Sequence, residues 1–448
     1  MSAANDTIVA PASATGGAIA VIRLSGHGAI ACCDRVFCGR APLCEAAAGT
    51  LHYGRIAEGG RTLDDVVAAV YRAPRSYTGE DSVEISCHGS RYIVSEIIAL
   101  LLRSGARMAR PGEFTTRAFL AGKLDLSQAE AVADLIAADS RAAHAMASTQ
   151  MRGGYSSALD ALREELLQLG SLLELELDFS EEEVEFADRG RLRGMMERIG
   201  SEIGRLTRSF SLGNAIKEGV AVAIVGEPNV GKSTLLNRLL GEERALVSEV
   251  AGTTRDTIEE RLNIDGVLFR FIDTAGLHAT DDRLEQLGID RTHQAIGRAR
   301  IVLQLVDATR PLPAPLPLGK EQTGLLVVNK SDAPHKLITP QQTPPDTLFL
   351  SARTGEGIEE LQARLRTAID TDSLFDGDPI VSNSRHLEAL AEAAEALERA
   401  LTALDETLPA DLLAEEIRLV AHHLGTITGR ITNDDILARI FSKFCIGK

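Results

Sequence analysis

Eight consecutive residues in the middle of the chain, Gly226-Glu227-Pro228-Asn229-Val230-Gly231-Lys232-Ser233, constrain this sequence more tightly than any other feature. They match the pattern G-x-x-x-x-G-K-[ST]. An apolar run over 220–225 that reads as a buried strand precedes them, and helical spacing over 234–240 follows. A strand, a glycine-bearing turn and a helix in that order aim backbone N–H groups and the positive end of a helix dipole at one point, which is a phosphate cradle. Lys232 is placed to meet the outer phosphates and the Ser233 hydroxyl to bind magnesium, with Asn229, Val230, Gly231 and Thr234 completing the loop.

Three later motifs name the base and the sensor of the last phosphate. Asp273-Thr274-Ala275-Gly276 follows the apolar stretch 268–272, so Asp273 is expected at a strand end facing the magnesium shell, with the Gly276 N–H offered to a γ-phosphate. Another apolar run, 325–328, delivers Asn329-Lys330-Ser331-Asp332. The Asp332 carboxylate can accept two hydrogen bonds from a guanine ring, and adenine lacks those donors, so the nucleotide is GTP. Ser351-Ala352-Arg353, after a short apolar segment, resembles the last guanine-contacting loop of GTPases.

The catalytic pattern departs from the familiar one. Leu277 follows Asp-Thr-Ala-Gly, where small GTPases carry a water-orienting Gln. An apolar side chain cannot position a water, and no arginine finger is evident. Asn229 and the segment Ser248-Glu249-Val250-Ala251-Gly252-Thr253-Thr254-Arg255-Asp256 together offer hydroxyl and carbonyl oxygens that suit a hard monovalent cation beside the phosphates. Asn229 reads equally as a residue that only hydrogen-bonds its own loop. Thr254 is the candidate switch threonine. Glu285 is the best carboxylate for orienting water, although Asp281, Asp282 and Glu285 also read as a solvated charged face.

The rest of the chain places this cassette inside a multidomain α/β protein. With 448 residues, 44% of them hydrophobic, two to four domains are expected. Residues 1–118 mix strand-like stretches (18–24, 66–71) with helical ones, an α+β pattern. Residues 119–218 turn helical, with Leu159, Leu162, Leu166, Leu169 and Leu173 at 3/4 spacing, and 372–448 is helical again, with Leu387, Leu390, Ala394, Leu397, Leu401 and Leu404 as one stripe. A discontinuous helical domain is therefore expected, with a Ras-like P-loop GTPase domain over 219–371 inserted in it. Residues 1–118 carry 12 Lys and Arg against 11 Asp and Glu, whereas the two helical segments carry 18 against 32. Because phosphate neutralisation dominates nucleic-acid affinity, an RNA contact is expected on the N-terminal domain or on a more basic partner. The acidic run Glu181-Glu182-Glu183-Val184-Glu185 reads first as solvated surface and second as a docking element. The six cysteines show no paired metal-ligand spacing and read as reduced thiols. No charged n-region precedes Arg23, and no run approaches the ~18 apolar residues of a membrane span, so a cytoplasmic location is expected.

Four features taken together resemble the MnmE (TrmE) family of tRNA-modification GTPases over essentially the whole chain. They are the phosphate loop with Asn229, the segment 251–256, the Asp-Thr-Ala-Gly-Leu motif and the ending Cys445-Ile446-Gly447-Lys448. The resemblance implies potassium ligation by Asn229, Ser248, Val250 and Thr253, magnesium binding by Ser233 and Thr254, and Glu285 as the water-orienting carboxylate. Position 248 is more often Thr in that family, and Ser keeps the hydroxyl. Arg23, Glu84 and Lys123, read alone, are surface charges or local ion pairs. The resemblance makes residues 1–118 a tetrahydrofolate-binding, dimerising domain in which Arg23, Glu84, Lys123 and Lys448 contact a 5-formyl-tetrahydrofolate-type ligand. Cys445 reads either as a nucleophile in one-carbon transfer or as a small packing residue that shapes the tail. The family further implies a homodimer and an FAD-dependent MnmG-type partner in a hetero-oligomer. The reaction is then addition of a carboxymethylaminomethyl-type group at C5 of the wobble uridine of certain tRNAs. Two readings compete with it: an Era- or Der-like ribosome-assembly switch, and a folate-binding regulatory protein whose GTPase gates a partner. The first lacks a KH-like GXXG segment after the GTPase domain and gives Cys445 to Lys448 no role.

Overall fold

The structure, a computed structural model, describes residues 6–178, 189–243, 259–272, 294–319, 322–369, 378–406, 408–432, 434–442, 444 and 447. By its contacts the chain divides into two compact units, Met1–Ala133 with Ala421–Lys448, and Asp134–Val420.

The first unit is built on a seven-stranded sheet. In chain order its elements are β1 (Thr7–Pro11), β2 (Ile19–Ser25), α1 (Ala29–Asp34), β3 (Phe37–Gly39), β4 (Thr50–Glu58), β5 (Arg61–Tyr71), β6 (Ser82–His88), α2 (Arg91–Arg103), β7 (Ala106–Met108), α3 (Glu113–Leu120) and the start of α4 (Leu126–Ala137). The strand order is β3-β4-β5-β6-β2-β1-β7, antiparallel except for the β1–β7 pair. Alternation explains the core: Ala20, Ile22 and Leu24 of β2 are fully buried, while Ile19 on the other face is exposed. Val94, Ile97 and Leu101 of α2 close over the buried face. Cys32, Cys33 and Cys87 lie in this core as free thiols, and burial raises the pKa of each, Cys87 to about 11.

The chain's last helices return to this unit. Phe119 and Leu126 pack with Leu437, Phe441 and Phe444, and the last two rings stand 5.3 Å apart.

The second unit opens with α5 (Arg141–Met151), capped by the Ser140 hydroxyl accepting from the Ala143 N–H, then α6 (Gly154–Asp178) and α7 (Arg189–Glu218). A six-stranded sheet follows: β8 (Val220–Val225), α8 (Lys232–Glu243), β9 (Glu260–Ile264), β10 (Val267–Ile272), β11 (Ile301–Asp307), β12 (Thr323–Asn329), β13 (Leu348–Phe349) and α9 (Ile358–Thr367). Then come α10 (Ser384–Asp405), α11 (Ala410–Thr428) and, back in the first unit, α12 (Asp434–Phe441). The strand order β13-β12-β11-β8-β10-β9 is parallel except for the β9–β10 hairpin. The carboxyl ends of β8, β11 and β12 therefore lie side by side, the usual place for a ligand in an open α/β sheet.

The expected stripe on α6 is real: Leu159, Leu162, Leu166, Leu169 and Leu173 are all buried. The stripe on α10 is rotated from its expected phase. Ala394 is exposed and Leu387 and Leu401 are half-buried, while Ala389, Ala393, Ala396, Ala400 and Ala403 join Leu390, Leu397 and Leu404 inside. The cause is close packing on α7, where a Cβ at Gly200 would already stand 3.2 Å from Leu397 Cδ2; small side chains face such a contact regardless of hydropathy. The acidic run 181–185 lies outside the described residues.

Candidate nucleotide-binding site

The loop from Gly226 to Ser233 joins β8 to α8, as its pattern requires. Gly231 sits at φ +104°, and a Cβ there would meet Asn329 Nδ2 at 2.2 Å, so only glycine fits. Asn229 adopts φ 63°, and Val230 is buried beneath the loop. The Lys232 ammonium folds into the turn and donates to the Gly226 and Glu227 carbonyls at 2.7 and 2.9 Å, and burial lowers its pKa. Two carbonyls thus hold an ammonium with three donors beside the loop whose pattern suits phosphate. Ser233 is half-buried at the first turn of α8, and Thr234 next to it is exposed.

Asn329, 2% exposed at the end of β12, holds the site together. Its Nδ2 donates to the Val230 carbonyl at 2.8 Å, and its Oδ1 accepts the Ala352 N–H at 2.9 Å. One amide thus ties the phosphate loop to the Ser351-Ala352-Arg353 loop. Lys330, at φ 64°, donates to Asp307 Oδ2 at 2.6 Å. The Ser351 hydroxyl, and with it Arg353 at 2.5 Å, holds the Asp332 carboxyl below its ordinary value. Asp332 is therefore ionised and able to accept two guanine N–H donors. Ser331 follows Lys330 in the same turn, its N–H bonded to the Leu350 carbonyl at 3.0 Å.

Two residues of this site escape the motif reading. Asp307 ends β11 with 6% exposure; burial pushes its pKa up, but Lys330 and the Thr309 N–H and hydroxyl outweigh that and leave it depressed. The run 301–306, apolar except for Gln304 and ending in an acid, is the signal that points to it. Arg238 on α8 donates to the Arg353 carbonyl at 2.5 Å and the Ala352 carbonyl at 3.4 Å, a tie no local pattern announces. Several expected site residues lie outside the described residues: Ser248, Glu249, Val250, Ala251, Gly252, Thr253, Thr254, Asp273, Thr274, Ala275, Gly276 and Glu285.

In the first unit, Arg23 and Glu84 are direct cross-strand partners on β2 and β6, joined at 2.8 Å. The Arg23 guanidinium also stands 5.2 Å from the Tyr77 ring centre and 5.7 Å from that of Phe114. Glu84 lines a pocket of about 370 Å³ with Tyr71, Arg75, Ser76, Tyr77 and Ser82. Lys123 is exposed and lies over Gly79, where a Cβ would stand 3.4 Å from its Cε. Cys445 and Lys448 lie outside the described residues; Gly447 between them packs against the end of β1, where a Cβ on it would run into the Pro11 carbonyl. Among the described residues no group of His, Cys, Asp and Glu is arranged to hold a metal, and no helix is long and apolar enough to cross a membrane.

Two family models match the chain: the GTP-binding protein TrmE N-terminus over 7–123 and the MnmE helical domain over 126–445. The tRNA modification GTPase MnmE of Christiangramia forsetii is 49% identical over 471 residues, covering 99% of both chains. The protein of the same description from Cytophaga hutchinsonii is 51% identical, covering 99% of this chain and 98% of its own. That of Porphyromonas gingivalis is 49% identical with the same coverage. With half the residues shared over nearly its full length, the chain belongs to the MnmE family of tRNA modification GTPases.

Proposed function

We propose that this chain hydrolyses GTP to GDP and phosphate in the service of tRNA modification. The observation that carries the reading is the Asn329 bridge, which fixes a phosphate loop and a guanine loop at one spacing. GTP is held by Asn229 to Thr234, by 248–254 and 273–276, by Asn329 to Asp332 and by 351–353. Magnesium sits on Ser233 and Thr254, and potassium on Asn229, Ser248, Val250 and Thr253. These oxygen donors suit hard cations, which supply charge neutralisation at the phosphates. Glu285 orients the attacking water.

The same reading assigns residues 1–118 to folate binding and dimerisation, 119–218 and 372–448 to the helical domain, and 219–371 to the GTPase domain. Arg23 and Glu84 beside an open pocket, with Lys123 and Lys448, bind the 5-formyl-tetrahydrofolate-type donor. Exposed Ile19, Leu51 and Tyr53 share the sheet face of the Arg23–Glu84 pair and support a homodimer through that face. An FAD-dependent MnmG-type subunit completes the cytoplasmic machinery that adds a carboxymethylaminomethyl-type group to the wobble uridine. Two measurements test this. The full chain should turn over GTP and not ATP, faster in potassium than in sodium; equal rates in both salts sink the potassium assignment. Nucleoside mass spectrometry of tRNA from a strain lacking the gene should show the wobble modification missing; its persistence removes the tRNA role.

A further inference from the structure

Arg270 on β10 makes two contacts that join distant parts of the GTPase fold. Its Nη1 donates to Glu259 Oε2 at 2.8 Å, and its Nε donates to the Gly219 carbonyl at 3.3 Å. Glu259 immediately precedes β9 and borders the segment 244–258, which carries Ser248 and Thr254. Arg270 itself lies two residues before Ile272, where β10 gives way to 273–293 with Asp273 and Glu285. Gly219 is the single residue between α7 and β8. It sits at φ +87°, and a Cβ there would press on Arg270 Cγ at 2.9 Å, so the arginine stem lies directly across the junction.

The surroundings show that this arginine is not there to fill volume. Its head lines an open cleft of about 640 Å³ with Ser211, Asn214, Arg298, Arg300 and Gln322. The Arg270–Glu259 pair is nonetheless mostly shielded, at 22% and 30% side-chain exposure. Arg300, at the start of β11, pins the same junction from the other side by donating to Ser211 Oγ on α7 at 2.5 Å, while its N–H bonds the Ala221 carbonyl at 2.9 Å. We propose that Arg270 is a positioning residue for GTP hydrolysis: paired with Glu259, it fixes the strand ends that lead into both phosphate-sensing segments to the α7–β8 junction. Turnover is thereby coupled to the helices that precede the nucleotide domain. This inference rests on the GTPase reading above.

Arg270→Ala, Arg270→Lys and Glu259→Gln, made in the full chain, test it. The Ala and Gln variants should each lower kcat about five- to tenfold, while affinity for a fluorescent GDP analogue stays within about twofold. The two changes combined should be no worse than either alone, as for residues acting as one unit. Arg270→Lys, which keeps a cation facing Glu259, should recover at least about half of kcat. Unchanged kcat in Arg270→Ala and Glu259→Gln overturns the proposal. So does parallel loss of kcat, GDP affinity and melting temperature with no recovery in Arg270→Lys, which marks a merely structural arginine. Absence of GTP turnover in the unaltered chain overturns the GTPase reading, and this inference with it.

Discussion

Asn329 donates its amide N–H to the Val230 carbonyl at 2.8 Å, so the guanine motif supports the phosphate loop directly. Its other atom receives the Ala352 N–H, and the side chain is buried. Asn329→Ala leaves a buried carbonyl and a buried N–H without partners, at about 1–3 kcal/mol each. GTP affinity should fall at least roughly tenfold, and the melting temperature should drop with it, read by titration calorimetry and thermal melts. Unaltered affinity would show that the bridge is incidental.

The guanine-binding role proposed for Asp332 has a direct test. The Ser351 hydroxyl and Arg353 keep Asp332 ionised, and Asp332→Asn replaces one acceptor with a donor that faces the guanine N–H groups. GTP affinity should fall roughly 100-fold or more. Xanthosine triphosphate, whose carbonyl accepts that donor, should bind better than GTP to the variant. Arg353 is 80% exposed, so Arg353→Ala should change stability by no more than about 1 kcal/mol.

Acid should loosen the first unit through a defined network. Arg107 bonds Asp6 at 2.5 Å and pairs with Glu113, and Arg117 reaches Asp6, Glu80 and Glu113. Burial raises the pKa of Asp6 and Glu113, but the two arginines outweigh it and both end below their ordinary values of 3.8 and 4.5. Their stabilisation is therefore fully present above about pH 4.5 and is lost as pH falls through the depressed folded values. Glu113→Gln should melt at a lower temperature than the unaltered chain at pH 7, with the gap closing towards pH 3. A gap that stays constant with pH would refute the ionic account.

The rotated face of α10 offers a packing test. Leu397 is 2% exposed against α7, so Leu397→Ala should cost about 2–5 kcal/mol. Ala394 points outward, and Ala394→Lys should stay within about 0.5 kcal/mol. Chemical denaturation of Ala394→Lys decides between this face and the stripe that runs through Ala394, since Leu397 belongs to both.

Local chemistry explains why some of this was legible. The phosphate loop, β10, β12 and α6 are each defined by residues a few positions apart, and turn chemistry and apolar period depend only on such neighbours. Alanine is neutral in that code, so the true face of α10 stayed hidden until α7 was packed against it. Arg23 and Glu84 read alone as surface charges or local ion pairs, because only the β2–β6 register sets them opposite each other across 61 positions. Arg238 belongs to no short pattern.

By itself the sequence determined the nucleotide class, the strand–loop–helix that binds phosphate and the family to which the chain belongs. The tertiary structure decided which residues cooperate: Asn329 with Val230, Lys330 with Asp307, and Arg270 with both Glu259 and Gly219. The physical reason is the strand order. With β11 lying between β8 and β12, and β10 on the other side of β8 paired to β9, residues 11 to 99 positions apart come within hydrogen-bond distance, and no periodicity along the chain encodes that adjacency.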